Sequence, residues 1–335
     1  MRRSLTALLT LRSAKTTMPL PSTTSVASAT QVRPIVRGRT GQPTVLVSPI
    51  TEKNLPVLER SKQLAAWTAV DEHVKSEHRV IGIGSGSTVP YVVERIVQLG
   101  AEANQERVFI PTGFQSKELI VSSGLNLGDV DQYPTIDVTL DGADECVFCH
   151  CGAGFVLSYQ SGPQPELHQR RRRMSPARKS ARRSGDDVRS GCFISFLRCS
   201  LACSFILVAD HRKNVEHLGT NFTPGIPIEV VPFAYAKVLH NLHHDLKCPK
   251  ATLRMAVKKA GPVVSDNGNF VIDAPFDQET MKTPYTIMAQ IKMLTGVVEV
   301  GVFCNMAKAA YFGNADGTVT VKWNDGRIEQ VAAKQ

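Results

Sequence analysis

No stretch of this 335-residue chain approaches the roughly 20 consecutive apolar residues of a membrane-spanning helix, so no membrane partner is expected. Residues 1–51 contain no acid; the first carboxylate is Glu52. Outside residues 146–203 the only cysteines are Cys248 and Cys304, and no secretory signal is evident, which argues against a disulfide framework. The glycine loop near residue 84 lacks the following lysine of a Walker loop. The third glycine of a dinucleotide fingerprint would fall on Ser87. Nucleotide chemistry of either familiar kind is therefore not indicated.

Two segments carry the chemistry. Thr135-Ile-Asp-Val-Thr-Leu-Asp-Gly-Ala-Asp-Glu145 alternates Ile136, Val138 and Leu140 with polar residues, a buried-strand pattern. It ends on Asp141 and Asp144, held by a Gly142-Ala143 turn in which Gly142 permits a sharp bend. Paired acids at the carboxyl end of a strand suit polyol binding or proton transfer; a solvated Asp-Gly turn stands as the alternative. The second segment, Arg79 to Ile96, reads as a strand (Val80, Ile81, Ile83), a glycine loop and a helix with Val89, Val92, Val93 and Ile96 on one face. Ser85, Gly86, Ser87 and Thr88 occupy the junction, where free backbone N–H groups and the helix dipole favour an anion. The hydroxyls of Ser87 and Thr88 add donors, or one of them caps the helix.

Charge is unevenly placed. The net +9 comes from two segments: residues 1–51, with seven basic residues, and residues 146–203, with ten Lys or Arg against three acids and six of the eight cysteines. The remainder is net acidic. The expected organisation is a basic leader at 1–51 and a main α/β domain over 52–225 plus 297–335, with an anomalous block at 146–203. A smaller α+β domain occupies 226–296. The fold class is α/β, a Rossmann-like sheet domain with a second, ferredoxin-like domain. Expected elements include a helix from Lys53 to His73 and a strand Phe205 to Ala209 apolar enough to be covered on both faces. Further strands are expected at Ile228-Glu-Val-Val and Val297 to Phe303, and an Asn267-Gly268 turn is expected between them.

Gly82-Ile-Gly-Ser-Gly-Ser-Thr88, Pro111-Thr-Gly-Phe-Gln-Ser-Lys117 and Val138-Thr-Leu-Asp-Gly-Ala-Asp-Glu145 occur in that order. Phe205-Ile-Leu-Val-Ala-Asp-His-Arg-Lys213, Ile228-Glu-Val-Val-Pro232, Ser265-Asp-Asn-Gly-Asn269 and Gly296-Val-Val-Glu-Val-Gly-Val-Phe303 follow. With these seven pieces the chain resembles ribose-5-phosphate isomerase of the A type. The resemblance implies reversible conversion of ribose 5-phosphate to ribulose 5-phosphate without a cofactor. It also implies that Ser85 to Thr88, Asp141, Gly142, Ala143, Asp144 and Lys213 contact the sugar phosphate. Asp141 and Asp144 are the catalytic candidates present, suited to holding hydroxyls or relaying protons between oxygens. The family implies a homodimer or homotetramer.

The family's proton-transferring base is a different residue, a glutamate in a Glu-Lys pair after a Lys-Gly-Gly-Gly-Gly loop. Residues 146–203 contain neither motif, and no Glu occurs between Arg170 and Glu216. The genetic code offers an account. If Arg170 to Arg173 are written as CGG and followed by ATG and compatible codons for Ser-Pro-Ala-Arg-Lys179, the frame one base later can encode Gly-Gly-Gly-Gly-Cys-His-Leu-Leu-Glu-Lys. The block is thus expected to be retained intron and out-of-frame exon, or else disordered. Its cysteines lack the paired knuckles of a zinc site, and its arginines lack the interleaved aromatics of a nucleic-acid surface, so neither metal nor nucleic acid is expected. His240, His243 and His244 read as surface or packing residues. The expected class is therefore an isomerase; a non-catalytic sugar-phosphate binder and a CoA-transferase-like relative are the alternatives. The family points to the cytoplasm; the leader, rich in Arg, Ser and Thr, offers mitochondrial or plastid import as the alternative.

Overall fold

The computed structural model describes residues 55–149, 154–158, 202–257 and 259–332; the basic leader and most of the 146–203 block lie outside them. From the amino end the elements are α1 (Val57–His73), β1 (Val80–Ile83), α2 (Val89–Gln98), α3 (Ala101–Asn104), β2 (Val108–Pro111) and α4 (Phe114–Ser122). Next come β3 (Val138–Asp141), β4 (Glu145–Cys149), β5 (Gly154–Ser158), β6 (Phe205–Asp210) and β7 (Ile226–Val230). A helix Tyr235–His244 precedes β8 (Thr252–Leu253) and β9 (Phe270–Ala274), and a helix Pro284–Lys292 precedes β10 (Val297–Val300). The chain closes with β11 (Val302–Cys304), β12 (Ala309–Gly313), β13 (Thr318–Trp323) and β14 (Ile328–Ala332).

The largest sheet has seven strands in the order β14-β13-β12-β6-β3-β1-β2. Strands β2, β1, β3, β6 and β12 run parallel, and β13 and β14 extend the sheet as an antiparallel meander. Strand β6 is buried along its whole length, as its unbroken apolar run requires. Its two faces meet different partners. Ile206 and Val208 join the core made with Ala65, Ala69 and Val70 of α1 and Val92 and Ile96 of α2. Phe205, Leu207 and Ala209 face a cluster containing Cys146, Phe303 and Phe312. Pro56 stands at the N-cap of α1, ahead of the first helical residue, where its missing N–H costs nothing.

The smaller sheet runs β10-β7-β9-β8, all antiparallel. With the helices Tyr235–His244 and Pro284–Lys292 it makes the βαββαβ order of a ferredoxin-like unit. Val238, Leu242, Ile287 and Ile291 cover its sheet through Ile228, Val230, Ile272 and Val300. His243 bonds the Ala251 carbonyl at 2.8 Å, in keeping with a packing role.

Two expectations need correcting. Val297 to Phe303 is not one strand returning to the main sheet: β10 pairs with β7 of the small sheet, and β11 pairs with β5. The break falls at Gly301, whose N–H donates to the Pro227 carbonyl at 2.7 Å and whose Cβ position is filled by Pro227. The small unit therefore runs through Val300, beyond residue 296. Likewise, the 146–203 block does not begin outside the fold. Cys146 pairs with Leu157 in the hairpin β4–β5, and Cys146 is buried.

One buried pair fixes α1 to the large sheet and predicts a pH response. The His73 Nε2 lies 2.8 Å from the Tyr311 hydroxyl. Burial, reinforced by Lys308 and Lys75, pushes the imidazole down from 6.5 to about 4. The folded state thus refuses a proton that the unfolded chain accepts, so stability falls as pH drops from about 6.5 to about 4 and then levels off. That interval corresponds to roughly 3 kcal/mol at most. Urea unfolding across this range should show a flatter pH dependence in His73→Gln than in the parent. An identical slope in both would assign the acid sensitivity elsewhere.

Candidate active site

From β1 the chain goes out to β2 on one side, then returns to lay β3 on the other side of β1. Such a reversal leaves a crevice outside the carboxyl ends of the strands, where open α/β sheets take ligands. The loop 84–88, residues 112–113 and the turn 141–144 follow β1, β2 and β3, and the short 3-10 helix His211–Lys213 follows β6.

The loop and the turn touch. Ser85 N donates to Asp141 Oδ1 at 2.8 Å, and the same oxygen accepts from Gly142 N at 2.8 Å. Asp141 is 1% exposed, so its carboxylate is taken up by backbone donors in the interior. Gly84 N donates to the Leu140 carbonyl at 2.8 Å. Neither glycine at this seam tolerates a side chain. A Cβ on Gly84 would stand 1.9 Å from Asp141 Oδ1, and one on Gly142 would stand 2.6 Å from the Ser85 carbonyl oxygen.

The expected site residues divide by what they meet. The Ser85 hydroxyl bonds Thr112 Oγ1 at 2.9 Å and is therefore committed within the seam. Gly86 follows with φ near +113°, a conformation that favours glycine. The Ser87 side is exposed, and Thr88 is buried at the N-cap of α2 without a side-chain cap bond. In the first turn of α2 Pro90 has no N–H and Tyr91 N donates to the Thr88 carbonyl at 3.1 Å, which leaves Val89 N as the helix's own orphan donor, and the dipole there favours negative charge. Ala143 packs on the cluster of Cys146 and Phe303. Asp144 Oδ1 lies 3.7 Å from Lys213 Nζ, with both side chains less than one-fifth exposed.

Lys213 is aimed by its own turn. Asp210 caps the helix His211–Lys213, accepting from Arg212 N at 3.2 Å and Arg212 Nε at 2.8 Å. Burial would raise the Asp210 carboxyl, but the Arg212 bonds and charge overcome it and hold it below its ordinary value. Below the turn, Glu145 is fully buried, and its carboxylate accepts the N–H groups of Gly219, Asn221 and Phe222. It holds the segment after the Lys213 helix, a task that sequence reading did not assign.

Thr112 joins the site through Ser85, whereas Ser116 caps α4 by bonding both N–H and carbonyl of Gly113. Two partners escaped the sequence reading. Gln115 bonds both backbone groups of Gly86, and Tyr91 in the first turn of α2 donates to Glu59, which also pairs with buried Lys62 at 2.8 Å. A lysine between the buried Ser61 and Leu64 of α1 was the available signal for the second group.

Comparison with known proteins now bears on this geometry. A family described as ribose 5-phosphate isomerase A (phosphoriboisomerase A) matches residues 108–148 and 198–317. A ribose-5-phosphate isomerase of Cryptococcus neoformans var. neoformans serotype D is 54% identical over 284 residues, covering 83% of each chain. The chain belongs to the ribose-5-phosphate isomerase A family. The isomerase of Schizosaccharomyces pombe is 46% identical, over 84% of this chain and 89% of that protein. Among solved structures, a D-ribose-5-phosphate isomerase in complex with phospho-erythronic acid aligns with TM-score 0.61 at 27% identity, over 82% of this chain and 99% of that one. The Plasmodium falciparum enzyme aligns with TM-score 0.59 at 26% identity, over 83% of this chain and 100% of that one. The family match takes in Asp141 to Asp144 and Lys213. It breaks between residues 148 and 198, the stretch without the glycine-rich loop and its Glu-Lys pair.

Proposed function

We infer that this chain is an isomerase interconverting ribose 5-phosphate and ribulose 5-phosphate at the crevice outside β1 and β3. The observation that carries the reading is the Ser85–Asp141 bond, which makes an anion loop and a pair of acids into one surface. The 54% identity to a named isomerase favours this over a non-catalytic sugar-phosphate binder or a CoA-transferase-like relative.

The roles follow from what each group contacts. The backbone N–H groups of Ser87, Thr88 and Val89 at the start of α2, with the Ser87 and Thr88 hydroxyls, take the phosphate. Gly142 and Ala143 line the seam beside the sugar. Asp141, with one oxygen held by two backbone amides, positions the loop against the turn rather than moving protons. Asp144 and Lys213 form the ion pair of the site. The ammonium offsets charge that develops on the sugar oxygens, and the carboxylate exchanges protons with the hydroxyls on carbons 1 and 2. The carbon step removes a proton from carbon 2, passes through an enediolate, and returns a proton to carbon 1. Its family base lies in the missing loop, so this polypeptide should bind its substrate well and turn it over slowly.

Calorimetry of the full chain with phospho-erythronic acid, alongside an assay with ribose 5-phosphate, tests both parts. Binding with weak turnover is expected. Absence of binding overturns the site, and rapid turnover by the unaltered chain overturns the loss of the base. In the same titration Lys213→Met should weaken phospho-erythronic acid by about tenfold, the value of one charge-assisted contact. An unchanged affinity would remove Lys213 from the site.

A further inference from the structure

The segment Ser265-Asp-Asn-Gly-Asn269 belongs to the small unit, yet one of its side chains reaches the anion loop's neighbour. Asp266 Oδ2 accepts the N–H of Phe114, the first residue of α4, at 3.2 Å. The next residue, Gln115, spans Gly86: its Oε1 accepts Gly86 N at 2.9 Å, and its Nε2 donates to the Gly86 carbonyl at 3.4 Å. A carboxylate at the start of a helix is favoured by the dipole, so Asp266 seats α4 and α4 presents Gln115.

The turn is itself held from behind. Glu229 of β7, 1% exposed, accepts from the Ser265 hydroxyl and from the amides of Asn267 at 3.2 Å and Asn269 at 2.9 Å. Ser265 N donates to the Asn269 carbonyl at 2.8 Å, closing the turn. Four polar residues are thus spent on placing one aspartate. Solvation or turn chemistry alone asks for no such investment.

We propose that Gln115 and Asp266 are positioning residues for phosphate, with the small unit's turn setting the conformation of the Ser85–Thr88 loop. The inference rests on reading that loop as the phosphate cradle. A glycine-containing loop is free to sample many shapes, and ordering it on binding costs affinity. Fixing both backbone groups of Gly86 in advance removes part of that cost.

The test uses the full chain and three probes: phospho-erythronic acid, inorganic phosphate and unphosphorylated erythronic acid. Gln115→Ala and Asp266→Ala should each weaken phospho-erythronic acid and phosphate by about tenfold, while leaving erythronic acid and the melting temperature nearly unchanged. Asp266→Asn keeps an acceptor for the Phe114 N–H and should recover most of the affinity. The double variant should lose less than the product of the singles, because both act through α4. Equal weakening of all three probes with a lowered melting temperature would reduce the residues to structural support and overturn the proposal. Unchanged phosphate affinity in the variants would overturn it while leaving the cradle intact. Failure of the parent chain to bind either phosphorylated probe would remove the cradle reading and the proposal together.

Discussion

Reading the codons from Arg170 to Lys179 one base later, with the frame restored before Phe205, should raise the turnover of ribose 5-phosphate by roughly 10²- to 10⁴-fold. That is the usual contribution of a positioned general base, and with CGG arginines and compatible codons the altered frame encodes Gly-Gly-Gly-Gly-Cys-His-Leu-Leu-Glu-Lys where this chain has its arginine run. Affinity for phospho-erythronic acid should move little, since the residues assigned to phosphate and sugar lie at 85–88, 141–144 and 213. The gain should vanish when the restored glutamate is changed to glutamine. The transcript offers an independent check, because a short in-frame join between Glu145 and Phe205 is expected there. A peptide spanning Arg170 to Arg173 in native protein, together with no gain from the reframed chain, would refute the account.

Gly84→Ala should damage both stability and binding. The added Cβ would fall 1.9 Å from Asp141 Oδ1 and 2.4 Å from Asp141 Cα, so rotating the carboxylate cannot relieve it. The loop and the turn must part, stranding the Ser85 N–H, which donates to Asp141, and the Gly84 N–H, which donates to the Leu140 carbonyl. Overpacking of this kind costs about 1–3 kcal/mol, and each lost bond to a charged group adds about 1.5 kcal/mol or more. Affinity for phospho-erythronic acid should fall by at least about 100-fold, judged against that total. Asp141→Asn preserves the shape and one acceptor, so it should fall between Gly84→Ala and the parent in both urea unfolding and calorimetry. A Gly84→Ala protein that unfolds and binds as the parent does would mean that loop and turn do not make one site.

The large sheet and its seam were legible because their signals are local. Val80 to Thr88 carries its strand, turn and helix in one run, and Phe205 to Asp210 is apolar throughout, as a strand covered on both faces must be. Asp141 and Gly142 announced a tight turn at a strand end. What stayed hidden depends on contacts far apart in the chain. Nothing near Asp141 says that its carboxylate will be consumed by the Ser85 amide, which lies 56 residues away. Gln115 reads as an ordinary helix residue until α4 is laid beside Gly86. The run Val297 to Phe303 looks like one strand because alternation cannot show that Pro227 packs where a Gly301 side chain would be, sending its halves to different sheets. The hairpin β4–β5 was obscured for another reason: its sequence adjoins the basic, cysteine-rich stretch, and composition averaged over the block concealed its order.

Strands β3 and β6 lie side by side although a long stretch of chain separates them in sequence. Their junction is stitched from its first residues: Cys203 N bonds the Ile136 carbonyl at 2.8 Å, and Thr139 N bonds the Ser204 carbonyl at 2.9 Å. When the two ends of a connection are pinned this way, doubling its length costs only about 0.6 kcal/mol in closure entropy. A splicing accident or an insertion between β5 and residue 202 can therefore rewrite the chemistry of the catalyst while the scaffold that grips the sugar phosphate is spared. In this architecture the capacity to recognise a substrate and the capacity to transform it are separately heritable.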